Sequence, residues 1–479
     1  MPGQRNARTP TWEAGHVKRI AVVGGGVAGL TAARDLVRAG HHVVVLEASP
    51  HLGGKLLRTE VAGVVVDVGA EAMLARRPEG LALAASLGLN VVHPAVQSSR
   101  IWTRGAVRPL PRSLMGVPMD VEQLAASGVL SDAGLARVRA EPGLPVTAFG
   151  DDISVGDLVA QRLGDEVTDR LVEPLLGGVY AGRARDISAR AAMPQLVALA
   201  ERGSLLEAAA ALPDPGGPVF GGLAGGMAGL ADALADSVIT AGGEIRLGAT
   251  VRALRREGAA YVLEVGPSTG VEALTVDAVV LATPAAASAR LLAVLSPAAA
   301  TALGGIDHAS MAIVTLAFRA TDLPDLAHAG SGFLVPPVDG RRIKAATLSF
   351  AKWAWVREAG RTPGGDDVLL LRASLGRHGE EATLQRTDDE LVAATLADLE
   401  DALGIRARPV DHHVHRWGGG LPQYALGHLD RVAGIRTALV DLPGLAVCGA
   451  AYDGVGIPAV IASAHRAATE IAEIAEIKA

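Results

Sequence analysis

The chain has 479 residues, 49% of them hydrophobic and 20% charged, with 58 glycines. That length suits two or three domains, or one large nucleotide-binding domain interrupted by insertions, and the composition excludes a disordered or fibrous chain. The formal charge is −7, no basic block is interleaved with aromatics, and Cys448 is the one cysteine; a nucleic-acid groove, an internal disulfide and a thiolate metal cluster are all excluded, and a reducing cytosol fits.

Residues 1–17 lack the apolar run of a signal peptide and are expected to form a loose tail. The longest uncharged stretches, 215–231 and 291–306, are broken by Gly or Pro and fall short of the roughly 20 apolar residues a bilayer span needs, which leaves only peripheral membrane contact open. Arg19–Val23 (RIAVV) reads as a buried strand, followed by Gly24, Gly26 and Gly29 in a G-x-G-x-x-G spacing and a helix running towards Gly40. The first glycine makes the tight turn, the second lets backbone approach a pyrophosphate, and the third allows close helix–strand packing. Val27 and Ala28 open the helix, whose unpaired N–H groups and dipole attract an anion without any basic side chain. His42–Leu46 is a second strand, ending in Glu47 and Ala48; a carboxylate at Glu47 accepts hydrogen bonds from ribose hydroxyls and disfavours a 2′-phosphate. These residues predict a dinucleotide site without separating FAD from NAD.

The chain then departs from simple β/α repetition, with Gly53-Gly54-Lys55 and a segment Asp67-Val68-Gly69-Ala70-Glu71. The series GGGVAGL, E, LGGK and DVGAE resembles the FAD-dependent amine-oxidase-like flavoproteins. The resemblance implies FAD, held by the Gly53–Gly54 turn with Lys55, Gly69 and Ala70. Further on, 100–112 reads as a hairpin turning at Arg104–Gly105, with arginines at 100, 104, 108 and 112 that form either an acid-binding strip or a solvated face. Helical segments are expected at 157–163, 167–176 and 188–211. Strands are expected at 242–251, 261–265 and 278–282, and again at 312–318 and 368–373. In the superfamily the strand around Val251 lies over the adenine, and Ala282-Thr283 resembles the loop closing near the dinucleotide. A last strand, 445–449, leads through Gly449, Tyr452, Gly456 and Ile457 into a terminal helix whose N-terminus would face the flavin pyrimidine.

Arg100 to Pro111, Tyr180-Ala181-Gly182, the run from Trp417 through Gln423 to His428, and 450–458 together resemble the FAD-dependent porphyrinogen oxidases of haem synthesis, over nearly the whole chain. That resemblance implies a six-electron oxidation of a porphyrinogen, in three two-electron steps through FAD, with O2 as acceptor and H2O2 as product. It places Arg100 on a substrate propionate, Tyr180, Ala181 and Gly182 along the substrate pocket, and Trp417 at the cofactor. A hand-off of product to a ferrochelatase would follow. The arginine-rich hairpin and the absence of a membrane span favour coproporphyrinogen III, with four propionates, over protoporphyrinogen IX, with two. Arg76 and Arg77 could add propionate contacts, although an exposed pair is the favoured reading.

The implied fold is α/β: a Rossmann-like FAD-binding domain assembled from 18–87, 216–304 and 431–479, a mainly helical insertion over 88–215, and a sheet-based substrate domain over 305–430. Glu71 is assigned no chemistry. His413 and His415 share a strand face without further ligands at metal spacing, His428 is read as an ordinary hydrogen-bonded histidine, and Cys448 as an inert buried thiol. Two other functions stand beside the main one: an amine oxidase, with Tyr452 and Trp417 or Tyr424 caging a neutral amine, and a flavin-binding protein without turnover.

Overall fold

The computed structural model describes residues 17–146, 148–213 and 216–476, so the expected tail lies, but for Val17, outside the described residues. Five short strands, all but the edge strand Glu244–Arg246 largely apolar on both faces, form a parallel sheet in the order Glu244–Arg246, His42–Leu46, Arg19–Val23, Ala278–Leu281 and Leu445–Val447. Strands buried on both sides need cover on both. On one face pack the helices Val27–Arg38, Ala228–Thr240 and Ile457–Glu476. On the other lie the antiparallel strands Val251–Glu257, Ala260–Val265 and Glu272–Val276, together with the helices Ala285–Leu292, Pro297–Gly304 and His428–Leu439. The sheet is thus gathered from segments far apart in the chain.

The single strand expected over 242–251 is two. Gly248 takes φ +65, and its N–H and that of Ala249 bond to Ser49 and Glu47 carbonyls, which pulls the chain out of the parallel sheet before Val251 starts the antiparallel one. Likewise, the helix expected over 188–211 is three short ones, Ala189–Ala192, Pro194–Ala200 and Leu205–Ala210. Pro194 supplies no N–H at the first break, and Gly203, at φ +156, makes the second.

A seven-stranded sheet runs in the order Asp411–Pro422, His308–Arg319, Val368–Leu375, Ile343–Thr347, Gly332–Leu334, Arg100–Thr103 and Ala106–Pro109. Its last two strands are the arginine hairpin, which turns where the sequence implies: Arg104 and Gly105 both have positive φ, 52° and 72°. The hairpin bridges two units: its Ile101 packs into the core of the helices that follow it, while its backbone joins this sheet. Arg100 and Ile101 pair in parallel with Phe333 and Leu334, a partnership 233 residues away that local pattern does not reveal. One face of this sheet packs Trp102, Phe333 and Phe318 beneath the helix Asp388–Leu403. The helical insertion has its own core, with Ile101, Leu158, Tyr180 and Tyr424, pinned by a buried Arg162–Glu141 ion pair. Its central helix continues from Asp165 to Tyr180 through one wider turn at Thr168–Val172, directly before Pro174, whose missing N–H breaks the regular ladder.

Candidate FAD and substrate site

The glycine turn after Arg19–Val23 is built from steric necessity. Gly24 has φ +110, and a Cβ on it would lie 2.9 Å from the Ala282 carbonyl oxygen; a Cβ on Gly29 would lie 1.9 Å from the Gly24 oxygen. Ala282 N–H bonds to Val23 O at 2.8 Å, so the loop at Ala282-Thr283 closes over the same turn. Helix Val27–Arg38 starts at Gly26 with no side-chain cap, which leaves its first-turn N–H groups to an anion. Opposite stands the second glycine turn: Gly53 N–H bonds to Gly25 O at 2.9 Å, and a Cβ on Gly54 would be 3.2 Å from Gly26 Cα. Two strips of bare backbone therefore face each other at the mouth of a helix, an arrangement that a diphosphate fits and that any side chain would fill. Glu47 accepts hydrogen bonds from Gly25 N–H at 2.6 Å and Ser49 N–H at 2.8 Å, one on each oxygen, which fixes its carboxylate and leaves lone pairs for ribose hydroxyls. Ala48 beside it is exposed.

Behind Gly54, the segment 67–71 is held against the seven-stranded sheet. A Cβ on Gly69 would come within 1.9 Å of the Lys55 carbonyl oxygen, to which Ala70 N–H bonds at 3.0 Å. Trp417 donates its indole N–H to Val68 O at 2.9 Å. Arg372 donates to the Gly69 and Asp67 carbonyls at 2.9 and 3.1 Å, and Glu71 joins it with Lys352 in a half-enclosed ion cluster. The two cations hold the Glu71 carboxyl below its ordinary range despite burial, so it is ionised and structural at neutral pH. Arg372 has no role in the sequence reading, yet a lone charge inside the apolar run VLLLRASL is the kind of signal that marks a fixed polar contact. The Lys55 ammonium has no hydrogen-bond or ion-pair partner among the described residues, and burial holds its pKa down.

Among the C-terminal residues expected at the cofactor, Gly449, at φ +127, donates to the Ser463 hydroxyl at 3.2 Å, and a Cβ there would meet open space. Gly456 and Ile457 open the terminal helix, and Val251 opens its antiparallel strand. Tyr452 differs from expectation. Its ring is 1% exposed, buried in the core cluster beneath the parallel sheet, and no ring contact joins it to Trp417 or Tyr424 among the described residues. The aromatic cage an amine oxidase would need is therefore not assembled from these three; Tyr452 can serve a cofactor through its backbone. Cys448 is fully buried, and its thiol is pushed up to about 12, consistent with an inert side chain.

On the substrate side, Tyr180 ends the central helix of the insertion, Ala181 adopts φ +49, and the Tyr180 ring meets that of Tyr424 at 5.5 Å. Arg100 is half-buried, its Nε enclosed without a hydrogen-bond partner, and no hydrogen bond joins it to the Tyr180–Gly182 turn among the described residues. The other arginines of the strip part company with it. Arg104 and Arg108 line a polar cavity of about 260 Å³ with Ser131 and Asp132, and Arg112 is exposed. Arg77 pairs with Glu79. His413 and His415 stack at 6.2 Å on the edge strand. The His428 ring lies 3.8 Å from that of Tyr424, and burial pushes its pKa down to about 4, so it is neutral.

The model of the family described as flavin containing amine oxidoreductase matches residues 27–472, from the first helix after the glycine turn to the terminal helix. The chain belongs to this family. It is an FAD-dependent oxidoreductase, and the facing glycine turns, the uncapped helix and the Glu47 carboxylate are the residues that suit the coenzyme. The coproporphyrinogen III oxidase of Mycobacterium tuberculosis is 40% identical over 468 residues, covering 95% of this chain and 98% of that protein. The coproporphyrinogen III oxidase of Bacillus subtilis is 29% identical over 462 residues, covering 92% and 95%. A crystal structure from Exiguobacterium sp. 255-15, of a proposed protoporphyrinogen oxidase, is 30% identical with a TM-score of 0.83 and covers 97% of this chain and 100% of its own. Among the described residues no helix of this flavoprotein is long and apolar enough to cross a membrane.

Proposed function

We propose that this flavoprotein oxidises coproporphyrinogen III to coproporphyrin III, with O2 as acceptor and H2O2 as product. The observation that carries the reading is the 40% identity to a coproporphyrinogen III oxidase across almost the full length of both chains. FAD, when bound, supplies the hydride acceptor; a bridging carbon that loses hydride needs no metal and no nucleophilic side chain from the protein. The residues of the chain bind, orient and exclude water. The turn at Tyr180–Gly182 forms one wall for the apolar macrocycle, and Arg100, whose Nε has no partner, meets a propionate by a charge-assisted hydrogen bond. Trp417 and Arg372 hold the Val68–Gly69 backbone beside the ring site.

The test is turnover on coproporphyrinogen III and protoporphyrinogen IX side by side, with Arg100→Ala alongside. The expected result is a higher kcat/KM on the tetracarboxylate and, for the variant, a KM raised by about tenfold or more with FAD still bound, because one charged hydrogen bond contributes about 1.5–3 kcal/mol. A preference for protoporphyrinogen IX would move the substrate assignment to the dicarboxylate. Unchanged kinetics in the variant would remove Arg100 from the site.

A further inference from the structure

We infer that Gln423 is a positioning residue that sets the Tyr180–Gly182 wall at a fixed distance from the flavin side of the enzyme; the inference rests on the reading of that wall as facing the porphyrinogen. The turn itself is not self-supporting. Ala181 holds φ +49, a region a residue with a Cβ enters only when its surroundings impose it. Two backbone oxygens of the turn are gripped from outside the insertion. Gln423 Nε2 donates to Tyr180 O at 2.7 Å, and His378 N–H donates to Ala181 O at 2.7 Å.

The Gln423 amide has one available orientation. Its NH2 group also donates to Leu421 O at 3.1 Å, within its own strand end, and its backbone N–H is tied to Asp307 O at 2.8 Å. Both amide hydrogens point at carbonyl oxygens, so Oε1 must point the other way, where it is buried without a donor. It rests on Gly182: a Cβ there would be 2.1 Å from Oε1, with Gln423 Cδ at 3.2 Å and Ile187 Cδ1 at 3.3 Å. Gly182 leaves the room for this approach, since a side chain there would have to displace the Gln423 amide, and its φ is not positive. An acceptor left unpaired in a protein interior is unfavourable, and its persistence shows which half of the amide the fold needs: the donors.

The residue next in sequence completes the link. Tyr424 packs its ring on Tyr180, donates its hydroxyl to Ala450 O at 2.7 Å and accepts from Gly454 N–H at 2.7 Å. Ala450 and Gly454 belong to the loop that leads into the terminal helix. Gln423 and Tyr424 thus span from the insertion to the cofactor loop, and a macrocycle held between them presents its bridging carbon at a distance they determine. Loosening such a wall by about an ångström degrades orientation without touching the cofactor.

The experiment measures KM and kcat for porphyrinogen oxidation, FAD content, and the rate at which O2 reoxidises the chemically reduced flavin, in Gln423→Ala, Gln423→Glu, Gly182→Ala and the Gln423→Ala/Gly182→Ala double variant. Losing the donors is expected to raise KM about tenfold in both Gln423 variants, with FAD content and reoxidation rate at parental values. Gln423→Glu keeps the shape of the side chain but sets a carboxyl oxygen against the Tyr180 and Leu421 carbonyls, so its defect reports the loss of the paired donors and not the loss of packing. Gly182→Ala is expected to raise KM further, by driving a methyl group into Oε1, and removing Oε1 in the double variant should bring KM back to that of Gln423→Ala alone. Parental KM in both Gln423 variants, or defects that simply multiply in the double variant, would overturn the inference while leaving the substrate reading intact. A parent protein that oxidises neither porphyrinogen would overturn both.

Discussion

Asp67→Asn isolates one buried charge beside the cofactor segment. Asp67 ends the strand Val64–Asp67, is 5% exposed, and caps the helix Ala228–Thr240 by accepting from Met227 N–H at 2.8 Å and Ala228 N–H at 3.2 Å. Desolvation outweighs those bonds and pushes its pKa up to about 6. A carboxyl group whose folded pKa exceeds its unfolded value stabilises the fold most when protonated. Its contribution is complete below an unfolded value of about 4 and is lost as pH rises through the folded value. A shift of about two units corresponds to about 3 kcal/mol. Asparagine cannot ionise; it keeps an acceptor for one N–H and turns a donor towards the other, at a cost of about 1 kcal/mol. The variant is therefore expected to be less stable than the parent by about 1 kcal/mol near pH 4, and more stable by about 2 kcal/mol above pH 7. Urea unfolding of the FAD-bound proteins across that range measures the difference. A stability difference that does not change with pH would refute the reasoning, since it would mean that Asp67 ionises in the folded protein as it does in water.

Arg162→Met strands the Glu141 carboxylate, fully buried with its remaining contacts to Ser204, Leu205 N–H and Leu206 N–H, and should cost about 3–5 kcal/mol of stability in urea unfolding; a loss below about 1 kcal/mol would contradict the pairing. Gly29→Ala puts a methyl group into the Gly24 carbonyl, so the variant should purify with little FAD while the helical insertion stays folded by circular dichroism; full FAD occupancy would mean that the turn is not the diphosphate cradle.

The glycine-turn pattern was legible in the sequence because part of what it requires is local. A Cβ on Gly29 would strike the Gly24 carbonyl, and Glu47, which closes the next strand, binds Gly25 N–H, so a short stretch of sequence carries the pattern, although Gly24 is also confined by Ala282 and Gly26 faces Gly54. The hairpin turn at Arg104–Gly105 was legible for the same reason. What depended on distant partners was not. The hairpin joins the seven-stranded sheet through residues 333 and 334, Arg372 acts on carbonyls some 300 positions earlier, and Gln423 acts on Tyr180. The direction of the Tyr452 ring was not readable either, because it is set by an apolar cluster drawn from segments between residues 21 and 452. The split at Gly248 lies between the two, a glycine visible in sequence whose bend is imposed by bonds to Glu47 and Ser49.

The most direct measurement is anaerobic addition of coproporphyrinogen III to the protein reconstituted with FAD. The oxidised-flavin absorbance should bleach, with porphyrin appearing, and should return with H2O2 when O2 is admitted. A protein that stays colourless after reconstitution, or a flavin band that the porphyrinogen leaves unchanged, would contradict the account.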